Sequence, residues 1–283
     1  LLGRRSRTAS VVTVLLLAVA IPLAIVSRHH DRWEHRNFYD DNDDDHSGYD
    51  EDDEDEESDR DTTRTESTRI GGTQSFSEPM DSSLQTASFH LEGGAAHFDL
   101  GGTSNQLAEA RTTLDFGSFT LQKTLNDDGK NASLNFSMKG NKKMEWKNGD
   151  WDGNLKNRVN VSLNPAVLWD ITAEIGAGEA DFDLSGYRVS RLKLDTGVTS
   201  TDVKLGDRTD LTTVDIDAGV AGITLNVPKT SGCRVKKDGL SLTELDGFDK
   251  VGEYYQTPGY EGAAKKINID FDGGIVKLEV KRY

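Results

Sequence analysis

Cysteine occurs once in the 283 residues, as Cys233. A lone thiol can close no intrachain disulfide and build no multi-cysteine metal knuckle, which excludes the small disulfide-stapled secreted scaffolds. Histidine is scarce too, with six in all and none after His97. The best-patterned part of the chain therefore has no imidazole to serve as general base or metal ligand. No Gly-rich phosphate loop, nucleophile elbow or zinc-helix signature is present. Basic residues form no stripe, and this argues against nucleic acid as a partner.

Negative charge, by contrast, is plentiful and concentrated. Between Asp40 and Asp61 lie 15 acidic residues and one basic residue, Arg60, so this block supplies -14 of the chain's formal net charge of -16. The remainder is close to neutral, and the low isoelectric point describes one segment rather than the whole. Residues 28–82 hold few apolar side chains. They cannot bury enough surface to offset the entropy of ordering, and self-repulsion extends them. A disordered acidic spacer is expected there. Asp41, Asp43 and Asp45 have the alternate spacing that opens an EF-hand loop, but His46 follows where that loop needs Gly. The expectation is weak condensation of divalent cations on the spacer, or plain solvation, and no specific calcium site. His29, His30, His35 and His46 are read as solvated.

Ahead of the spacer, the 20 residues from Thr8 to Ser27 carry no charge. At ~1.5 Å per helical residue they would reach about 30 Å, the thickness of a bilayer's hydrocarbon core. Arg4, Arg5 and Arg7 precede them and place residues 1–7 on the cytoplasmic side. A single-pass anchor in the cell membrane follows, with everything after it exported. The alternative is a cleavable signal peptide, since Ala18-Val19-Ala20 resembles a cleavage site, although the apolar run continues to Val26.

From residue 83 to 283 the pattern turns to short alternating runs broken by Gly, as in Arg191-Leu192-Lys193-Leu194 and Thr213-Val214-Asp215-Ile216-Asp217. This region is expected to be all-β. It also repeats, most clearly over 166–283. Gly176, Gly197 and Gly219 stand 21 and 22 residues apart. Five and three residues before them are Ile171 and Ala173, Leu192 and Leu194, Val214 and Ile216. Six and eight residues after them are Phe182 and Leu184, Val203 and Leu205, Leu225 and Val227. The template extends to Ala87, Phe89, Phe98 and Leu100 around Glu92, and to Ile267, Ile269, Leu278 and Val280 around Asp272. Both acids precede a Gly-Gly pair, as though the turn had moved. The 84 residues from Glu92 to Gly176 leave room for four periods, with looser copies around Gly117 and Leu134-Asn135-Phe136-Ser137-Met138.

Stacking explains such a period. Four inward side chains contribute on the order of 1.5–3 kcal/mol each, while ordering ~21 residues costs roughly 1–2 kcal/mol apiece. A single repeat cannot stand, so neighbours must share strand hydrogen bonds and a core. Gly between the half-strands suits a tight corner with φ > 0. The expected fold is a single-stranded β-solenoid; a β-sandwich is the alternative, though it does not require equal spacing.

The stretch Trp169-Asp170-Ile171-Thr172-Ala173-Glu174-Ile175-Gly176-Ala177-Gly178-Glu179-Ala180-Asp181-Phe182-Asp183-Leu184-Ser185 resembles bacterial toast-rack domains, which also occur in LiaF-like envelope-stress proteins. So do Asp217-Ala218-Gly219-Val220 and Val227-Pro228. The resemblance covers about residues 155–283. It implies a β-solenoid outside a bacterial membrane, and for LiaF-like proteins a role in regulating two-component signalling. Those proteins carry several transmembrane helices, where this chain shows one apolar span.

Little points to catalysis. Asp181, Asp183, Asp195, Asp202, Asp215 and Asp217 could supply the carboxylate pair of a glycoside hydrolase, but they occupy outward positions of alternating strands. Cys233 fits a small inward residue. Trp146 and Trp151 could stack on a sugar or cover a core edge. Asn131-Ala132-Ser133 and Asn160-Val161-Ser162 match a glycosylation sequon by chance. No catalytic, cofactor or metal site is assigned. The functional expectation is a non-enzymatic, membrane-anchored envelope module that senses or scaffolds through protein contacts. The alternative is a β-helix enzyme or binding module acting on cell-surface polysaccharide, which a groove of carboxylates and basic residues would favour.

Overall fold

Alternation of apolar and polar residues makes strands of most of what the computed structural model describes, namely residues 72–115, 117–126, 129–139 and 157–283. The strands are β1 (Gly72–Glu78), β2 (Thr86–Leu100), β3 (Ala108–Leu114), β4 (Ser118–Leu125), β5 (Asn131–Lys139), β6 (Arg158–Leu163) and β7 (Leu168–Asp183). There follow β8 (Arg188–Lys204), β9 (Leu211–Val227), β10 (Gly232–Leu245), β11 (Asp249–Val251), β12 (Tyr254–Gln256) and β13 (Lys266–Arg282). All belong to one sheet. The expected span from Thr8 to Ser27, the block between Asp40 and Asp61, and the Trp146 and Trp151 pair lie outside the described residues. No helix among the described residues is long and apolar enough to cross a membrane.

Strand β7 has 16 residues and would reach about 53 Å if straight. Only residues 184–187 separate its end from β8, which runs parallel beside it from the first residue. The strand must therefore fold back on itself, and it does so at Gly176. Its inward residues are Trp169, Ile171, Ala173 and Ile175 before the corner, then Ala180 and Phe182 after it. The inward phase has changed from odd to even. The same switch falls between Thr196 and Thr199 in β8, Ala218 and Ala221 in β9, and Phe271 and Val276 in β13. One outward residue beyond the corner glycine is inserted each time, so both halves of every long strand face a common core.

The spacing of the sequence template is reproduced in register. Ile171, Leu192 and Val214 are successive partners and fully buried, as are Phe182, Val203 and Leu225 on the second half. Gly176, Gly197 and Gly219 line up as expected, but for a different reason. None has positive φ. A Cβ on Gly197 would lie 2.4 Å from the Gly176 carbonyl oxygen, and one on Gly219 would lie 2.9 Å from that of Gly197. Glycine is required here because successive backbones approach each other too closely for a side chain.

At the flanking rungs the template is off by two residues. Phe89, not Ala87, pairs with Ile171, and Ile269, not Ile267, pairs with Val214. The corners are therefore Gly94 and Gly274, the second glycine of each pair, and Glu92 and Asp272 stand two residues ahead of them. A two-residue slip preserves the inward face, which is why the apolar pattern alone could not exclude it.

The order across the sheet departs further from a simple coil. The parallel stack runs β2, β7, β8, β9, β13, β10. Successive coiling holds for β7, β8 and β9, and then the C-terminal strand β13 inserts between β9 and β10. The four periods expected between Glu92 and Gly176 are not formed. Instead β5 lies along the first half of β2 and β6 along its second half, so that two separate strands make one split rung. Antiparallel partners then close the ends. At one end β4 pairs with β5, β3 with β6, and β1 with β3; at the other, the β11–β12 hairpin covers the start of β10. Terminal strands of this kind shield a stack from edge-to-edge association. Strand β1 also shows that the β region begins ahead of residue 83.

Candidate functional site

Outward positions of a parallel stack form rows, because residues at the same point of each rung lie one strand spacing apart, about 4.8 Å. Two rows are acidic. Two residues before each corner stand Glu92, Glu174, Asp195, Asp217, Asp272 and Asp238, which are successive partners across six strands. Five of the six are exposed. Glu174 meets His90 at 3.3 Å and Asp238 meets Lys236 at 3.8 Å. Glu92, Asp195, Asp217 and Asp272 make no ion pair among the described residues. A pair of unit charges 4.8 Å apart repels by about 0.9 kcal/mol in bulk water before salt screening. The row presents negative charge to solvent and attracts cations or basic surfaces.

The second row follows the corner: Asp99, Asp181, Asp202, Thr224, Glu279 and Glu244. Here counter-charges interleave. Arg158 Nη1 lies 3.1 Å from Asp99, Lys281 Nζ 2.9 Å from Glu279, and Lys277 Nζ 3.1 Å from Glu244. Asn226 donates to Asp202 at 2.8 Å. At the β2 end, His97 joins the row. Its Nε2 lies 3.0 Å from Asp99 Oδ1 and 3.4 Å from Asp181 Oδ2, and its Nδ1 3.0 Å from Glu179 Oε2. A shallow depression beside it is lined by Asp99, Asp181, Asp183, Asp202 and Lys204. These carboxylates project from neighbouring strands on one side of the sheet. They share that depression with the single basic residue Lys204.

The sequence model for the N-terminal domain of toast_rack, DUF2154, matches residues 53–226. The chain belongs to this family. The match begins well ahead of the stretch on which the resemblance was read and stops one residue short of the end of β9, leaving β10 to β13 outside it. In three dimensions this toast-rack chain is similar to a "putative cell adhesion protein" from Clostridium sporogenes ATCC 15579, with a TM-score of 0.68 and 21% identity. That likeness covers 75% of this chain and 100% of the other, and at such identity it is a likeness of fold. A "putative adhesin" from Bacteroides fragilis NCTC 9343 aligns over 73% of this chain and 95% of its own at a TM-score of 0.26 and 9% identity. No curated protein matches the chain.

Within this toast-rack frame the remaining candidates find their places. Asp195 and Asp217 belong to the first acidic row, Asp181 and Asp202 to the second. Asp215 is paired, with Arg191 Nη2 at 2.7 Å and Nε at 3.0 Å. Partial burial raises the pKa of Asp183. Hydrogen bonds from the Ser185 hydroxyl and backbone N–H outweigh this, with Lys204 at 3.3 Å, so its net pKa is below the usual carboxylate range. A carboxyl so held is not a general acid at neutral pH. Cys233 is fully buried, and burial pushes its thiol up to about 12. Asn131 and Asn160 lie in paired strands. Reading the sequence missed the first row, although its signal was there. An acid stands two residues before the corner in Glu174-Ile175-Gly176, Asp195-Thr196-Gly197 and Asp217-Ala218-Gly219, and before the Gly-Gly pairs at Glu92 and Asp272.

Proposed function

We propose that the protein is a non-enzymatic component of the cell envelope, anchored in the membrane by the segment from Thr8 to Ser27. It presents its β stack outside the cytoplasm and works through contacts with other envelope components, including those of stress signalling. The observation that carries this reading is the exterior of the stack. Its first row carries an acid on each of six rungs, and five of these six face solvent. An extended row of one sign favours electrostatic contact with a partner over chemistry on a small substrate. The name of the Clostridium protein is in keeping with a surface role.

A test is an export-dependent phosphatase fused behind Gly71, combined with carbonate extraction of the full chain. Activity restricted to the exported side, with the chain retained in the membrane pellet, is expected; a soluble cytoplasmic product would sink the proposal. For the signalling part, deleting the gene should change the threshold of an envelope-stress reporter, and an unchanged threshold would remove that part alone.

A further inference from the structure

We infer that His97, Asp99 and Asp181 form a binding site for a first-row divalent metal ion of the zinc class, on the outer face of the folded domain and separate from the acidic spacer. The register brings the donors together. His97 and Asp99 are two apart on one face of β2; His97 pairs with Glu179 and Asp99 with Asp181 across to β7, while Arg158 of β6 lies beside His97 on the other flank. One ligand atom from each of His97, Asp99 and Asp181 lies within 4.8 Å of the other two.

The spacing fits coordination. Ligands about 2.1 Å from a metal stand about 3.0 Å apart at cis octahedral positions and about 3.4 Å apart at tetrahedral ones. The Nε2 to oxygen distances are 3.0 and 3.4 Å. Outer partners orient two of the three ligands. Glu179 Oε2, 3.0 Å from Nδ1, takes that nitrogen's proton in a hydrogen bond and leaves the Nε2 lone pair facing the carboxylates. Arg158 holds Asp99 by its other oxygen, Oδ2, at 3.1 Å, leaving Oδ1 for the ion. Three carboxylates and one guanidinium leave a local charge of about -2, which a divalent cation balances. A mixed nitrogen and oxygen set of three suits zinc, manganese, cobalt or nickel, and is too small and too nitrogenous for calcium. Three protein ligands leave positions open for water or for a donor from a partner molecule.

The competing arrangement is a charged imidazole that donates from both nitrogens to Glu179 and to the aspartates, with no ion. Titrating the full chain with Zn2+ against a chromophoric chelator separates the two. The wild type should hold one equivalent that H97Q binds at least about tenfold more weakly, and E179Q should weaken it by about 10–100-fold, as outer partners do. Ca2+ binding should not differ between wild type and H97Q, because it reports the spacer. Far-UV circular dichroism without metal checks that each variant folds. Should H97Q fail that check, D181N, whose side chain is 59% exposed, takes its place with the same expected loss. Equal Zn2+ stoichiometry and affinity in the wild type and in the folded variant would overturn the site, leaving His97 as an ion-pair partner only.

Discussion

Cys233 shows how far a single residue follows from its surroundings. It sits in β10 with no solvent exposure, and its backbone exchanges hydrogen bonds with Thr257, donating to Oγ1 at 2.9 Å and accepting from N–H at 2.8 Å. Burial holds the thiol neutral to about 12, against the weaker opposing pull of Arg282. An unfolded cysteine ionises near 8.5. The folded pKa is the raised one, so the contribution to stability is whole below about pH 8.5 and is lost as pH climbs toward 12. Native protein should therefore resist a thiol reagent at pH 7.5 and react at once in denaturant, and C233A should lose less stability than wild type between about pH 9 and 11. Rapid stoichiometric labelling of the native state would refute this. Some alkaline loss should persist in C233A, because burial also raises Tyr187, whose hydroxyl accepts from Leu163 N–H at 3.3 Å. Asp215 went the other way. Its alternating position read as plain solvation, and nothing local in the sequence announced Arg191, which the register of neighbouring rungs delivers.

At the scale of the rung, the corner glycines differ in a way that can be measured. A Cβ at Gly197 would meet a carbonyl oxygen at 2.4 Å, whereas one at Gly176 would meet the Gly94 oxygen at 3.3 Å. Replacement by Ala reduces the entropy of the unfolded chain, worth about 0.4–1 kcal/mol in the variant's favour. At Gly197 overpacking should exceed this and leave a net loss of about 1–3 kcal/mol. At Gly176 the two effects should nearly cancel. Urea unfolding of G176A and G197A checks the order, and equal losses would mean that the corners are not held by backbone contact. The rungs themselves were legible because offsets of three before and six after the glycine differ by an odd number, nine. That offset already encodes the switch of inward phase. What stayed hidden was register at the flanks, where a two-residue slip costs no apolar contact, and the cap strands, whose antiparallel pairing carries no period. The His97 cluster was not legible, because it needed the pairing of β2 with β7, 82 residues apart.

For the whole molecule, the cap is part of the fold rather than an ornament. Strand β1 covers the edge of β3, and Phe76 meets the Phe136 ring edge-on at 5.2 Å between centroids. A fragment from Gly72 to Tyr283 should unfold cooperatively with β-type circular dichroism. One that starts at Ser83 loses this strand and should be at least about 2 kcal/mol less stable, the cost of an emptied aromatic position. Equal stability would make β1 dispensable, and a molten longer fragment would make the preceding residues structural. The place of β13 sets a further condition, on the order in which the molecule can be made. Its partners on either side, β9 and β10, are both complete before its first residue leaves the ribosome, yet neither can pair with the other in the finished stack. Until residues 266–282 emerge, the growing chain holds two open parallel edges that wait for one strand. The docking of β10 onto the rungs from β2 to β9 must therefore wait for residues 266–282, although those earlier rungs can pair before them.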